Sequence, residues 1–194
     1  MKICGLTGGL GMGKSTAAEI LRAHGVPVVD TDDLARQLVQ PGEPALAEIQ
    51  IQFGKNIVAS DGRLCRDKLA EMVFNDVAVR NKLEEILHPR IRERWLAQIE
   101  TWRGENQRLA VVVIPLLYET QAEAYFDKII CAACSAANQR KRLLERGWSV
   151  EQIARRIAAQ MPVDQKIARA NFVVWTDGYL NDHRQQLERI LARL

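Results

Sequence analysis

Eight consecutive residues near the start of the chain, Gly8-Gly9-Leu10-Gly11-Met12-Gly13-Lys14-Ser15, fit the spacing G-x-x-x-x-G-K-[ST]. That spacing serves to hold a polyphosphate. Glycines let the backbone curl so that consecutive N–H groups point at phosphate oxygens, and a helix beginning there adds the positive end of its dipole. The apolar segment Met1 to Leu6 leads in as a strand, and Ser15 to His24 follows as a helix. The lysine, Lys14, has the reach for the β- and γ-phosphates, and the Ser15 hydroxyl is of the type that ligates Mg²⁺. Phosphoryl transfer needs more: a group to orient the attacking oxygen, metal ligands, and cations on the moving charge.

Carboxylates for those roles stand at Asp30-Thr31-Asp32-Asp33, just after the apolar run Val26–Val29. Ligands of open α/β sheets bind at the carboxyl ends of strands, so a carboxylate there would face the phosphate loop. Asp32 is the candidate to accept a hydrogen bond from an acceptor hydroxyl. Asp30 is the candidate for the Mg²⁺ shell, through water. The competing reading is capping of a helix Leu34–Val39 by Thr31 or Asp32. A third strand leaves through Ile114-Pro115-Leu116-Leu117-Tyr118-Glu119. It lacks the Asp that many ATPases keep at this place, and it reads as core or as an apolar rim in which Leu116 beds part of a substrate. His88-Pro89-Arg90-Ile91-Arg92 reads as a helix break with a new helix after it. The break is either a plain kink with exposed arginines or an anion site using His88, Arg90 and Arg92. No Asn-Lys-x-Asp stretch is present to read guanine; Asn81-Lys82-Leu83-Glu84 is the nearest.

These groups need a frame. Strand-like runs fall at Lys2–Leu6, Val26–Val29, Leu109–Ile114, Lys128–Ala133 and Phe172–Trp175, most of them continuous and rich in Val and Ile, with helical patterns between. This alternation predicts an α/β fold: a parallel five-stranded sheet covered on both faces by helices. Two helical regions interrupt it. Residues 44–104 read as helices Ala45–Phe53, Asp67–Phe74, Val77–Leu87 and Arg90–Arg103, with a turn at Ser60-Asp61-Gly62 and the character of a substrate-contacting insertion. Residues 139–169 are helical and basic, with six cationic side chains between Arg140 and Arg156 against two glutamates and Ser149 as a helix N-cap. That segment is either a solvated face or a lid over the phosphates.

The 194 residues, 47% hydrophobic and 26% charged with a net charge of +3, describe one ordinary globular domain: core 1–43, 105–138 and 170–194, insertion 44–104, lid 139–169. The small charge gives no argument for nucleic acid or membrane. The longest apolar run, Leu109 to Tyr118, is about half of a bilayer span and holds Pro115. No signal-peptide layout opens the chain, so a cytosolic location is expected. Cys131-Ala-Ala-Cys134 lacks partners at zinc-ligand spacing, and its cysteines read as small buried residues at a strand end.

Together the motifs resemble the dephospho-coenzyme A kinases, members of the P-loop kinases, over nearly the whole chain. Carrying the resemblance are Gly5 to Thr16, Val29-Asp30-Thr31-Asp32-Asp33-Leu34-Ala35-Arg36, His88-Pro89-x-Ile91-Arg92, Pro115-Leu116-Leu117-Tyr118-Glu119, and Gln139-x-x-Arg142-x-x-x-Arg146, continued by Gln160 and Lys166. Met12 stands where that family usually has Ser, Thr31 for Ala, and Ala170-Asn171-Phe172 for Ala-Asp-Phe. The family's Asn near the end of the last strand is replaced around Trp175-Thr176, which bears on adenine contacts. The resemblance implies a three-layer P-loop fold and transfer of the ATP γ-phosphate to the ribose 3′-hydroxyl of dephospho-CoA, with Mg²⁺. It implies ATP phosphates on Gly11, Met12, Gly13, Lys14, Ser15 and Thr16. Lys14, Asp32 and Arg142 would be catalytic, with Arg142 and Arg146 swinging in on the lid. The acceptor would be held by Asp32, His88, Arg92 and Leu116, and the metal by Ser15 and Asp30. Its partners would be small molecules alone, with no nucleic acid, membrane or protein partner. Another small-molecule P-loop kinase, such as a nucleoside monophosphate kinase, and a nucleotide-dependent switch or assembly ATPase are the alternatives.

Overall fold

A computed structural model describes all 194 residues, apart from the side chains of Phe74 and Asn75. Its contacts divide the chain into two compact units, residues 1–30 with 99–194, and residues 31–98.

The first unit is built on five parallel strands in the order β2-β3-β1-β4-β5: β1 Lys2–Gly8, β2 Val28–Asp30, β3 Leu109–Val113, β4 Lys128–Ala133 and β5 Phe172–Trp175. All five sequence-expected strands are present, and β1 runs two residues further than its apolar pattern. The near-continuous burial of β1, β3 and β4 explains their Val- and Ile-rich runs, since a parallel sheet is covered on both faces. Helices α1 (Lys14–Ala23) and α9 (Leu180–Leu191) pack on it through Ile20, Leu21, Leu187 and Ile190, which join Leu6 and Val111 in one core. The chain leaves β1 toward β2 on one side and leaves β4 toward β5 on the other. The carboxyl ends of β1 and β4 therefore flank a topological switch point, where such sheets place their ligands.

The second unit is helical: α2 (Thr31–Leu38), α3 (Pro44–Phe53), α4 (Arg66–Asn75) and the N-terminal part of α5 (Val77–Gly104). Its core gathers Leu38, Val39, Ile49, Ile57, Leu69 and Ile86. The expected turn is present, with Gly62 N–H donating to Ala59 O and an isolated Val58–Leu64 bridge closing around it. The expected break at His88-Pro89 is corrected. A single 28-residue helix, α5, runs straight through Pro89. Proline in a helix interior removes one donor and crowds the preceding turn. Beside it the Arg90 guanidinium donates to Ile86 O at 2.6 Å and pairs with Glu48 of α3 at 2.6 Å, which ties this stretch of α5 to α3.

Two histidines on opposite ends of the α9 packing titrate in opposite senses. His183 is buried, and its Nε2 has no partner among the described residues. Burial, with the nearby Arg142 charge second, holds its pKa below the usual value. His24 is raised by its hydrogen bonds to Ile20 O and Glu188. A neutral-preferring His183 leaves full stability above about pH 6.5 and costs stability as pH falls below that. His24 contributes below about pH 6.5 and loses its contribution as pH rises through its raised folded value. His183→Leu is therefore expected to shrink the loss of stability between pH 7.5 and pH 5, read from urea melts. An undiminished loss in that variant would assign the acid sensitivity to other groups.

Candidate active site

Between β1 and α1 the loop Gly9–Gly13 takes a course that only glycine tolerates at two points. Gly8 has φ 143°, and a Cβ there would lie 2.1 Å from Ala132 O of β4. Gly13, at φ 87°, is the left-handed N-cap of α1. With the loop in this shape, Lys14 Nζ donates to Gly8 O at 3.0 Å and Gly9 O at 2.9 Å. Its charge is thus drawn over the loop. Ser15 is exposed in the first turn of α1, beside Thr16. Met12 is buried with its sulfur against Gly9, and its N–H donates to Gly9 O at 3.2 Å, so it helps to shape the loop from within.

Three distant side chains fasten this loop by its backbone. Leu10 O accepts from Gln139 Nε2 at 2.8 Å, and Leu10 N–H donates to Gln160 Oε1 at 3.2 Å. Met12 O accepts from Thr176 Oγ1 at 3.2 Å. Gln139 belongs to α6 (Ala136–Glu145), and Gln160 follows α7 (Val150–Ala158). The basic segment splits between the two readings open to it. Arg142, one turn along α6 from Gln139, donates to Thr176 Oγ1 at 2.9 Å and to Thr176 O, which places a guanidinium beside the loop. Arg140, Lys141, Arg146, Arg155 and Arg156 are exposed, with Arg146 at the C-cap of α6 and Arg156 stacked on Trp148. Ser149 caps α7 through a full capping box, as its place before the helix led one to expect.

The Asp177 carboxylate fixes the start of α6. It accepts from Ser135 N at 3.0 Å, Ser135 Oγ at 3.1 Å and Asn138 Nδ2 at 2.7 Å, and the Asn138 bond leads in holding its pKa below the usual carboxylate value. The turn Thr176-Asp177 thus ties β5 to both the loop and α6. Nothing in the chain's local pattern distinguishes these two residues, except that they follow a strand at its carboxyl end. Gln186 of α9 holds that turn in place by pairing its amide with both the N–H and the C=O of Trp175.

A second anchor lies at the exit of β3. Pro115 O accepts from Thr7 Oγ1 at 3.2 Å and from Lys166 Nζ at 2.8 Å. Lys166, in α8 (Val163–Arg169), is fully buried and pairs with Glu119 at 2.8 Å. Glu119 Oε1 also accepts from Met161 N at 2.9 Å. Of the apolar segment after β3, Leu117 is core and Leu116 is half-exposed in the turn. Cys131 and Cys134 are free and buried. Burial pushes the Cys131 thiol up to about 11, so it is unreactive near neutral pH.

Asp30 ends β2, opposite Val113 of β3. Asp32 is exposed in the first turn of α2, and His88 and Arg92 are half-buried one turn apart on α5. Around the loop, then, the structure gathers Gly11, Gly13, Lys14, Ser15 and Arg142, while Asp32, His88 and Arg92 are carried by the helical unit.

Comparison with known proteins follows this geometry. The dephospho-CoA kinase family profile matches residues 2–182. A dephospho-CoA kinase of Anaeromyxobacter dehalogenans is 43% identical over 195 residues, covering 100% of this chain and 92% of that protein. One from Bdellovibrio bacteriovorus is 39% identical, covering 100% and 96%. Among solved structures, a Thermus thermophilus protein superposes with a TM-score of 0.85 at 34% identity, covering 100% and 97%. The dephospho-CoA kinase of Campylobacter jejuni gives 0.73 at 27% identity, covering 98% and 96%.

The buried pair at the β3 exit makes a stability prediction. Lys166→Met strands Glu119, whose Oε2 already lacks a partner, and is expected to cost about 3–5 kcal/mol in chemical denaturation. Adding Glu119→Leu is expected to restore much of that loss, because removing both charges removes the desolvation penalty. A single variant as stable as the unaltered chain would show that the pair carries no such burden.

Proposed function

The chain belongs to the dephospho-CoA kinase family, and from that premise we propose that it transfers the γ-phosphoryl group of ATP to the ribose 3′-hydroxyl of dephospho-CoA, giving coenzyme A and ADP. The observation that carries this reading is the phosphate loop, with Lys14 drawn over it and Arg142 beside it, in a chain matched over its full length by kinases of that name.

In this reading the ATP phosphates lie on the N–H groups of Gly11 to Thr16. Lys14 exchanges its two loop carbonyls for phosphate oxygens. Asp32 accepts the hydrogen bond of the acceptor hydroxyl and takes its proton as the new P–O bond forms and the bond to the ADP oxygen breaks. With a loose transition state the proton leaves late, so an ordinary carboxylate suffices. Arg142, with Arg146 as a second cation, neutralises charge on the moving group. An arginine in that role contributes about 10³-fold or more in rate. Residues 139–169 act as a lid that excludes water, whose phosphorylation would waste ATP. His88, Arg92 and Leu116 hold the acceptor. ATP and the acceptor are the partners of this reaction, which we place in the cytoplasm. Among the described residues no helix is long and apolar enough to cross a membrane.

The donor set fits Mg²⁺. Ser15 offers an exposed hydroxyl, and Asp30 offers a carboxylate at the end of β2. These are hard oxygen ligands of the kind that Mg²⁺ takes, with waters completing its shell. A bound Mg²⁺, held by Ser15 and Asp30, would neutralise part of the charge on the phosphates.

A coupled assay with dephospho-CoA, AMP, CMP and pantetheine tests the substrate, and robust turnover of AMP alone would replace this reading with a nucleoside monophosphate kinase. Asp32→Asn is expected to leave ATP affinity nearly intact and to lower kcat about 100-fold or more; near-normal turnover would remove Asp32 from the chemistry. Arg142→Ala is expected to lower kcat mainly. A change confined to the KM of the acceptor would move Arg142 to substrate binding.

A further inference from the structure

Leu10 is held from the two ends of one stretch of chain. Gln139, near the start of α6, donates its amide N–H to Leu10 O at 2.8 Å, and Gln160, just past α7, accepts from Leu10 N–H at 3.2 Å. Residues 140–159 between them carry six cationic side chains against Glu145 and Glu151. They form a basic arch with both feet on one residue of the phosphate loop. Each foot is pinned in turn. Asn138, next to Gln139, donates to Asp177 at 2.7 Å, and the N–H of Met161, next to Gln160, donates to Glu119 at 2.9 Å. The middle of the arch is held less: Ile153 is the buried residue of α7, and Gly147, at φ 81°, joins α7 to α6.

The loop needs this hold because its own residues do not fix its shape. Gly11 and Gly13 take φ values of 71° and 87°, and glycine leaves that region about as readily as it enters it. Outside groups must therefore supply the preference. Helix α6 meets the loop at three successive residues: Gln139 at Leu10, Leu143 at Gly11, where a Cβ would lie 3.0 Å from its side chain, and Arg142 at Met12 by way of Thr176. The Leu10 carbonyl and the Gly11 N–H belong to one planar peptide and point to opposite sides of it. By holding the carbonyl, Gln139 aims the amide, which is the first of those assigned to ATP. Gln160 fixes the peptide before it in the same way.

We infer that Gln139 and Gln160 are positioning residues for the nucleotide, which aim the amides of the loop through Leu10 and tie nucleotide binding to the seating of the basic arch. The inference deepens the reading of this loop as the ATP site and rests on it. Such coupling is reciprocal: the factor by which a seated arch tightens nucleotide binding is the factor by which nucleotide favours the seated arch. The polarity of the two amides is part of the device. Position 139 must donate and position 160 must accept, so a carboxylate serves at 160 and fails at 139.

The experiment measures ADP binding by calorimetry, and amide exchange of residues 147–159 with and without saturating ADP. In the unaltered chain ADP is expected to slow exchange of that stretch severalfold. Gln139→Met and Gln160→Met, close to glutamine in size, are each expected to weaken ADP binding about tenfold and to abolish the slowing, since each removes one hydrogen bond and leaves its partner on Leu10 bare. The double variant is expected to lose about as much as either single one, because both act through Leu10. Under saturating ADP, Gln160→Glu is expected to keep the slowing and Gln139→Glu to lose it, a contrast that a merely structural contact would not give. Variants that bind ADP as tightly as the unaltered chain overturn the proposal, as do losses that multiply in the double variant or an exchange rate that ADP leaves unchanged. Gln160 is the less buried of the two, so its variants carry the test if those at 139 fail to fold. An unaltered chain that binds no ADP would instead remove the loop from nucleotide binding, which is a distinct result.

Discussion

Backbone amides that must remain available to an anion cannot also hold together the loop that carries them. The segment Gly9–Gly13 has this problem in full, because every N–H it spends on internal bonding is one fewer for phosphate. The fold answers by fastening the loop through groups that phosphate does not use. The carbonyls of Leu10 and Met12 accept from Gln139 and Thr176, and the Leu10 amide goes to Gln160. The carbonyls of Gly8 and Gly9 hold the one cation of the loop. The contact of Gly8 with Ala132 O, closer than any Cβ allows, fixes where β1 ends against β4. The Leu10 and Met12 amides are spent, on Gln160 and on Gly9 O, and the loop is otherwise fastened by its carbonyls; a loop preorganised in this way costs no reordering when charge develops.

That constraint also explains how the first unit is wired. Thr176 meets the loop and Arg142 at once, and Asp177 seats the start of α6, so the residue after β5 and the helix bearing Arg142 form one network. The buried Lys166 does the same at the other end of the helical segment, joining α8 to the exit of β3. A charge fully removed from water persists only where its hydrogen bonds are supplied, and Pro115 O and Glu119 supply them. The basic segment is thus fixed near both ends, while most of its arginines remain in solvent between them.

What was legible in the sequence follows from the range of the forces involved. The phosphate loop is local: its glycines, lysine and serine do their work within eight residues, so its pattern survives in one dimension. The five strands are legible because burial on both faces writes a continuous apolar run. Pro89 misleads because the local rule for proline is overridden by the packing of a long helix, which Arg90 ties to Glu48 of α3, 42 residues away. Gln139, Gln160 and Lys166 were visible as residues of the right pattern but not as what they do, since their partners lie 129, 150 and 51 positions off. Thr176 and Asp177 carry no pattern at all.

Asp30 and Asp32, two residues apart, fall on either side of the boundary between the two units. Asp30 is held in the sheet by its register with Val113, in the unit that carries the loop and Ser15. Asp32 rides on α2, exposed in its first turn. The division follows the chemistry assigned to each. In the proposed reaction Asp30 would help to hold the cation that faces the phosphates, and Asp32 would face the molecule that bears the hydroxyl. The place of Asp32 along α2 is set by helix geometry, so a hydroxyl bound there would be held at a fixed point of the helical unit. Positioning of that kind is where orientation contributes most to rate, since a reacting oxygen held at the right distance has already given up its freedom before the bond begins to form.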